Sequence, residues 1–208
     1  MTVAIRQLWL QVTALGDSSV ILPCMGLMAL WLLFDACNHA PAWRWLVLAA
    51  GVAMLVITSK LVFMVWGVSL PGLDFTGLSG HAAMAALVWP CLFALLARKS
   101  GTGWRVGSAV LGLLLAAAVA WSRVVLHAHS VSEVVLGGLT GAACALWWLW
   151  RHGPAWRLPW SPLVALLPLL LILPFVYGRR FPSQDIVVTV AKHLADGPLH
   201  TRRELHRH

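Results

Sequence analysis

An all-α fold, a polytopic bundle of six membrane-spanning helices, is what the sequence predicts, and three observations predict it. Hydrophobic residues make up 60% of the 208 and charged residues only 11%, too little polar character for a soluble domain of this length. Mean hydropathy is +0.82. The apolar residues gather into six runs separated by short polar connections, each near the ~20 residues a helix needs to cross a hydrocarbon core of roughly 30 Å.

In chain order, residues 1–17 mix apolar and polar side chains around Arg6 and Gln7. They are too short to span and have no small-residue cleavage site, which predicts an interfacial helix. The first span is expected at 18–36, tolerating Pro23 as membrane helices do. The second, 43–67, carries Lys60 some two turns before its end. A polar connection, 68–78, holds Pro71, Asp74 and Thr76. The third span follows at 79–97, then the basic turn of Arg98 and Lys99, the fourth span at 104–121, the fifth at 130–150 and the sixth at 162–177. Gly137 and Gly141, four apart on the fifth, predict a close helix contact. Residues 178–208 are polar and are expected to be a mobile tail, with room for a short amphipathic helix around 186–194 and with His193, His200, His206 and His208 solvated. The chain thus divides into an N-terminal segment (1–17), a six-helix domain (18–177) and a tail (178–208).

A formal charge of +8 and a pI near 10.4 do not imply nucleic acid, because the basic residues are spread over connections and tail rather than gathered in a patch. Arg44, Arg98, Lys99, Arg105, Arg151 and Arg157 fall on the first, third and fifth connections, which the positive-inside rule assigns to the cytoplasm. Trp43, Trp45, Trp104, Trp147, Trp148, Trp150, Trp156 and Trp160 crowd that end, as an interfacial belt does. The second and fourth connections then face the other side, the periplasm for a bacterial inner membrane. Cys24, Cys37, Cys91 and Cys144 lack the paired spacing of zinc or redox sites and read as small packing residues.

The chemistry-bearing residues lie on that far side. Residues 122–133, Ser-Arg-Val-Val-Leu-His-Ala-His-Ser-Val-Ser-Glu, put an arginine, two histidines and a carboxylate into a chain poor in charge. At a helix start His129 and Glu133, four apart, share a face, so the carboxylate can fix one imidazole nitrogen and leave the other as base or nucleophile. Arg123 can grip a phosphate or a carboxylate. A second cluster, Ser79-Gly80-His81, opens the third span. Two readings of Glu133 stand side by side: a partner for His129, or the acid of a capping box begun by Ser130. Lys60 either belongs to the site or snorkels to the headgroups. Asp74 and Thr76 read as loop residues that cap the third span or tie down the loop.

Ser122-Arg123, five residues, His129, three residues and an acid resembles the third signature motif of the type 2 phosphatidic acid phosphatase superfamily, and Ser79-Gly80-His81 resembles its second. The resemblance covers about residues 60–133. It implies a membrane phosphatase acting on a lipid phosphate or diphosphate, with undecaprenyl diphosphate, phosphatidic acid, phosphatidylglycerol phosphate and lipid A phosphates all compatible, and with no metal or other cofactor. It implies that His129 attacks phosphorus to give a phosphohistidine, that Glu133 orients it, and that His81 protonates the leaving oxygen. Arg123, Lys60, Ser79 and the Gly80 amide would hold the phosphate oxygens.

Three positions depart from the family pattern. Glu133 stands where the third motif has aspartate, and Leu78 where the second begins with proline. Counting seven and eight on from Lys60 gives Gly67 and Val68, where the first motif has arginine and proline, so one phosphate-binding cation is missing. His127 is the nearest substitute, with Ser122 and Asp74 as further polar candidates. Two alternatives stand beside the phosphatase: a lipid phosphotransferase, which would use the same residues, and, motivated by the missing arginine and the glutamate, a catalytically weak relative that binds or moves lipid phosphates.

Overall fold

The structure is a computed structural model describing residues 2–34, 39–152, 162–179, 181–195 and 197–202. Its helices are α1 (Val3–Ala14), α2 (Ser18–Leu33), α3 (Ala40–Trp66), α4 (Gly80–Leu96), α5 (Thr102–Val125), α6 (Val131–His152), α7 (Pro162–Val176) and α8 (Ser183–Leu194). Among the described residues there is no strand. Among the described residues four stretches are long and apolar enough to cross a membrane: Val3–Leu33, which runs through α1 and α2, then Ala40–Trp66, Thr102–Val125 and Val131–His152. α4 and α7 are shorter apolar helices. The long helices carry exposed Val47, Met54, Leu55, Leu111, Leu114 and Leu139, large apolar side chains of the kind that meet lipid.

α4 is the axis of the bundle, packing on α2, α3, α5 and α6. It is apolar on every side, as a fully surrounded helix is, and buries Ala82, Ala83, Ala85, Leu87, Val88, Cys91 and Leu95 completely. Its neighbours come close because their facing residues have no side chain. A Cβ on Gly112 of α5 would lie 2.5 Å from the Pro90 backbone, and one on Gly137 of α6 would lie 2.8 Å from the Ser79 carbonyl. One on Gly141 would run into the Ala83 carbonyl. The close contact expected of Gly137 and Gly141 is therefore made, and its partner is α4; Gly112 adds a second such contact.

The tryptophan belt is only part of the story at the basic end. Trp43, Trp104, Trp147 and Trp150 are exposed, but Trp45 and Trp148 are wholly buried and meet at 5.1 Å between ring centroids. Both project inward from α3 and α6 into the core, which overrides the preference of the indole for the interface. Cys24 and Cys91 are buried free thiols, as packing residues would be; Cys37, Trp156, Trp160 and Arg157 lie outside the described residues.

Part of the tail packs on the bundle. α8 turns Val187 and Ala191, four apart, onto α3, so the amphipathic face found in the sequence has a partner. Beyond it the His200 backbone N–H donates to the Met64 carbonyl at 2.9 Å, and its imidazole lies over Gly67, the left-handed C-cap of α3 at φ +67°. A Cβ on Gly67 would lie 3.1 Å from that ring, so glycine here both ends α3 and seats the tail.

Because α3 to α6 alternate in direction, the end of α3, the start of α4, the end of α5 and the start of α6 lie at one end of the bundle. Arg44, Arg98, Lys99, Arg105 and Arg151 lie at the other, on the connections and helix ends between them.

Candidate active site

The start of α6 is built around one carboxylate. Ser130 and Glu133 form a capping box: Ser130 Oγ accepts from the Glu133 backbone N–H at 3.3 Å, and Glu133 Oε2 accepts from the Ser130 N–H at 3.2 Å. The same Oε2 lies 2.6 Å from His129 Nδ1. Glu133 thus does both things the sequence allowed. A carboxylate only accepts, so Nδ1 carries the proton and Nε2 keeps the lone pair. Oε1 accepts from Thr76 twice, from the backbone N–H at 2.7 Å and from the hydroxyl at 2.6 Å, and pairs with Arg202 Nη2 at 2.5 Å. Glu133 is fully buried, and this density of donors is what makes an ionised group tolerable there.

The loop before α4 is pinned to the same place. The Asp74 carbonyl accepts from the hydroxyls of Ser130 and Ser132, and the Ser79 backbone N–H donates to the Glu133 carbonyl at 3.1 Å. Gly77, at φ +131°, lies where a Cβ would be 2.9 Å from the Lys60 Cα, so the loop presses on α3 beside the lysine. Asp74 and Thr76 tie down the loop, one of the two roles open to them in the sequence.

Lys60, Thr76, Gly80, His81, Arg123 and His129 line one cavity of about 600 Å³. Its remaining wall is largely apolar, with Ile21, Leu22, Val56, Ile57, Met64, Met84, Ile186 and Val187. Lys60 Nζ donates to Gln184 Oε1 of α8 at 2.6 Å, and Arg123 Nη1 to Thr13 Oγ1 of α1 at 3.0 Å. His81 Nε2 lies 3.7 Å from Asp17 Oδ2. Asp17 also caps α2, accepting from the Ser19 N–H at 2.9 Å. Burial pushes the His129 imidazole below its ordinary range; Glu133 opposes this, while Lys60 and Arg123 add to it. The ring is therefore neutral at neutral pH.

Three candidates are elsewhere. Ser122 is fully buried and its hydroxyl donates to the Val119 carbonyl at 2.5 Å, within its own helix. Ser79 is the N-cap of α4, buried behind Gly80 with its hydroxyl toward the Ala82 N–H. His127, in the left-handed region at φ 53°, lines an adjoining cleft with Arg6, Thr13 and Arg179, and Arg123 and His81 line both this cleft and the cavity. Among the described residues no three His, Cys, Asp or Glu side chains gather as a metal site would require.

The structure also supplies residues that the sequence reading missed. Asp17 had a local signal, an acid before Ser18-Ser19 at a helix start, but nothing marked its meeting with His81. Gln184 and Arg202 come from the tail, and no spacing rule connects them to a motif this far upstream.

The PAP2 superfamily model matches residues 62–157, a stretch that contains both polar clusters. A protein of Klebsiella pneumoniae described as an "Uncharacterized 22.5 kDa protein in cps region" is 36% identical over 207 residues, covering 96% of this chain and 98% of its own length. No solved structure matches. This chain belongs to the PAP2 superfamily, whose members are generally phosphatases.

Proposed function

We propose that the protein is an integral membrane lipid phosphatase that hydrolyses a lipid phosphate or diphosphate through a phosphohistidine on His129. The observation that carries this reading is the single cavity in which His129, backed at 2.6 Å by Glu133, faces Lys60, Arg123 and His81 beneath an apolar wall. Cations and the α4 N-terminus suit the phosphate, and the apolar wall suits the chains of a lipid. His129 Nε2 forms the N–P bond as the P–O bond to the lipid breaks, and His81 gives its proton to the departing oxygen. Water then attacks phosphorus, His81 takes its proton, and the N–P bond breaks to release inorganic phosphate. Residues 18–177 form the catalytic domain, with α2 to α7 as six spans and the cavity on the periplasmic side of a bacterial inner membrane.

Purified protein in detergent, with chelator and no added metal, is expected to release phosphate from one member of a panel of lipid mono- and diphosphates. Absence of release from every lipid, by protein that still binds them, would turn the reading toward transfer or binding.

Two substitutions probe the phosphate contacts and the carboxylate. Lys60→Met removes a charge-assisted contact of about 1.5–3 kcal/mol, so kcat/KM should drop roughly 10- to 100-fold without loss of the fold. Unchanged kcat/KM would leave Lys60 as a headgroup anchor. Glu133→Asp is one methylene shorter and cannot hold both Thr76 and His129 from the same backbone position, so kcat is expected to fall about tenfold or more. Full activity would mean that α6 shifts to restore the pair.

A further inference from the structure

We propose that Arg202, carried by the C-terminal segment, is a positioning residue of the catalytic site, acting on His129 through Glu133. This rests on the phosphatase reading above. Glu133 is fully buried, and a buried carboxylate requires a compensating cation as well as hydrogen bonds. Lys60 and Arg123 line the cavity, with Lys60 Nζ on Gln184 Oε1 and Arg123 Nη1 on Thr13 Oγ1, and Lys60 acts on Glu133 through space. Arg202 instead meets the carboxylate directly, with Nη2 2.5 Å from Oε1 and 3.3 Å from Thr76 Oγ1, while its Nε lies 3.4 Å from Asp74 Oδ1.

The guanidinium therefore spans the carboxylate, the loop before α4 and the start of α6, and fixes the oxygen opposite the one that holds His129. It does not border the cavity, so it is not a stand-in for the phosphate-binding arginine absent after Lys60. The chain commits a segment to delivering it. α8 docks Val187 and Ala191 on α3, and the His200 N–H is held by Met64 with its ring on Gly67. Two residues later Arg202 reaches Glu133.

The consequence for His129 follows from charge. The groups that face its ring are Glu133 from α6, Lys60 from α3, Arg123 from α5 and His81 from α4, and Arg202 and Asp74 stand behind Glu133. With Arg202 gone, Glu133 loses the cation paired with it, and its charge acts more strongly in favour of the imidazolium. His129 then holds its proton to higher pH, and less of it is the neutral nucleophile.

The test uses the full-length protein in nanodiscs, comparing wild type with Arg202→Ala, Arg202→Lys and, as a control on the exposed face of α8, Lys192→Ala. Two readouts are taken: phosphate release against pH, and the NMR titration of His129 in histidine-labelled protein, its resonance identified by its loss in His129→Ala. For Arg202→Ala, kcat should drop on the order of tenfold with KM changed far less, and the His129 midpoint should rise by about one unit. Arg202→Lys should restore the midpoint but only part of kcat, because a point charge cannot span Glu133 and Asp74 together. Lys192→Ala should match wild type. An unmoved midpoint and undiminished kcat in Arg202→Ala would overturn the proposal. So would a loss of kcat at unchanged midpoint, which marks a purely structural strap. If Arg202→Ala does not fold, Arg202→Gln, a neutral donor, carries the same comparison. The titration needs no turnover, so it decides the role of Arg202 even if no lipid is hydrolysed and the phosphatase reading fails.

Discussion

Replacing His129 with alanine is expected to lower phosphate release by at least about a thousandfold and to abolish any acid-labile phosphoenzyme. The loss is large because the proposed reaction passes through a covalent bond to Nε2, and no neighbouring group can replace it. Lys60 and Arg123 are cations that attract the phosphate but have no lone pair to attack it, and His81 lies toward Asp17 at 3.7 Å. Groups that act as one unit fail together, so removal of the nucleophile should cost nearly the whole chemical step. Substrate binding should survive, since the cavity keeps its cations and its apolar wall. Rapid quench with labelled lipid phosphate, followed by alkaline denaturation to preserve the N–P bond, checks both halves. A phosphoenzyme persisting in His129→Ala would move the nucleophile elsewhere and sink the proposed mechanism.

The same residue sets the acid limb of the pH profile. Burial holds His129 below its ordinary value of 6.5, with Lys60 and Arg123 pushing the same way and Glu133 opposing. A depressed value keeps the ring neutral, and therefore nucleophilic, further into acid. The fall in kcat/KM with decreasing pH should accordingly have its midpoint below 6.5.

How much of this was legible in the chain depends on the range of the interaction. The His129–Glu133 pair and the capping box are contacts within one helical turn, so spacing alone revealed both. The close packing at Gly137 and Gly141 was likewise a local pattern, although only the structure says that α4 fills it. The meeting of Lys60, His81, Arg123 and His129 in one cavity was visible only indirectly, through alternating helices that bring their ends to one face. Asp17, Gln184 and Arg202 were not visible. Each reaches the site by docking of a whole element, α1–α2 or α8, and polar residues in a polar tail read as solvated unless the surface they meet is known. Trp45 and Trp148 failed for a related reason: residue type favours the interface, but their position on α3 and α6 faces the core.

The second large effect concerns the packing that holds the cavity together. Gly141→Ala is expected to destabilise the protein by about 3 kcal/mol, while Gly138→Ala, three residues earlier on the same helix, should leave it unchanged or slightly stabilised. A methyl on Gly141 would run into the Ala83 carbonyl, whereas one on Gly138 meets nothing within 4 Å. The obstacle at Gly141 is backbone, which cannot rotate away as a side chain would, so α6 and α4 must separate. Overpacking of this kind costs typically 1–3 kcal/mol, and a rigid carbonyl puts it at the upper end. At Gly138 the only change is the helix preference of alanine over glycine, up to about 1 kcal/mol in favour. The separation also matters for chemistry, because the Ser79 carbonyl packs on Gly137 one turn above and the Ser79 N–H is bonded to the Glu133 carbonyl. Moving α6 from α4 therefore moves Glu133 and His129 from Gly80 and His81. Thermal unfolding in one detergent for the two variants, together with kcat at a temperature where both are folded, measures each part. Equal melting temperatures would show that α4 and α6 are not in backbone contact at Ala83. A lowered melting temperature with full kcat would show that the site tolerates their separation.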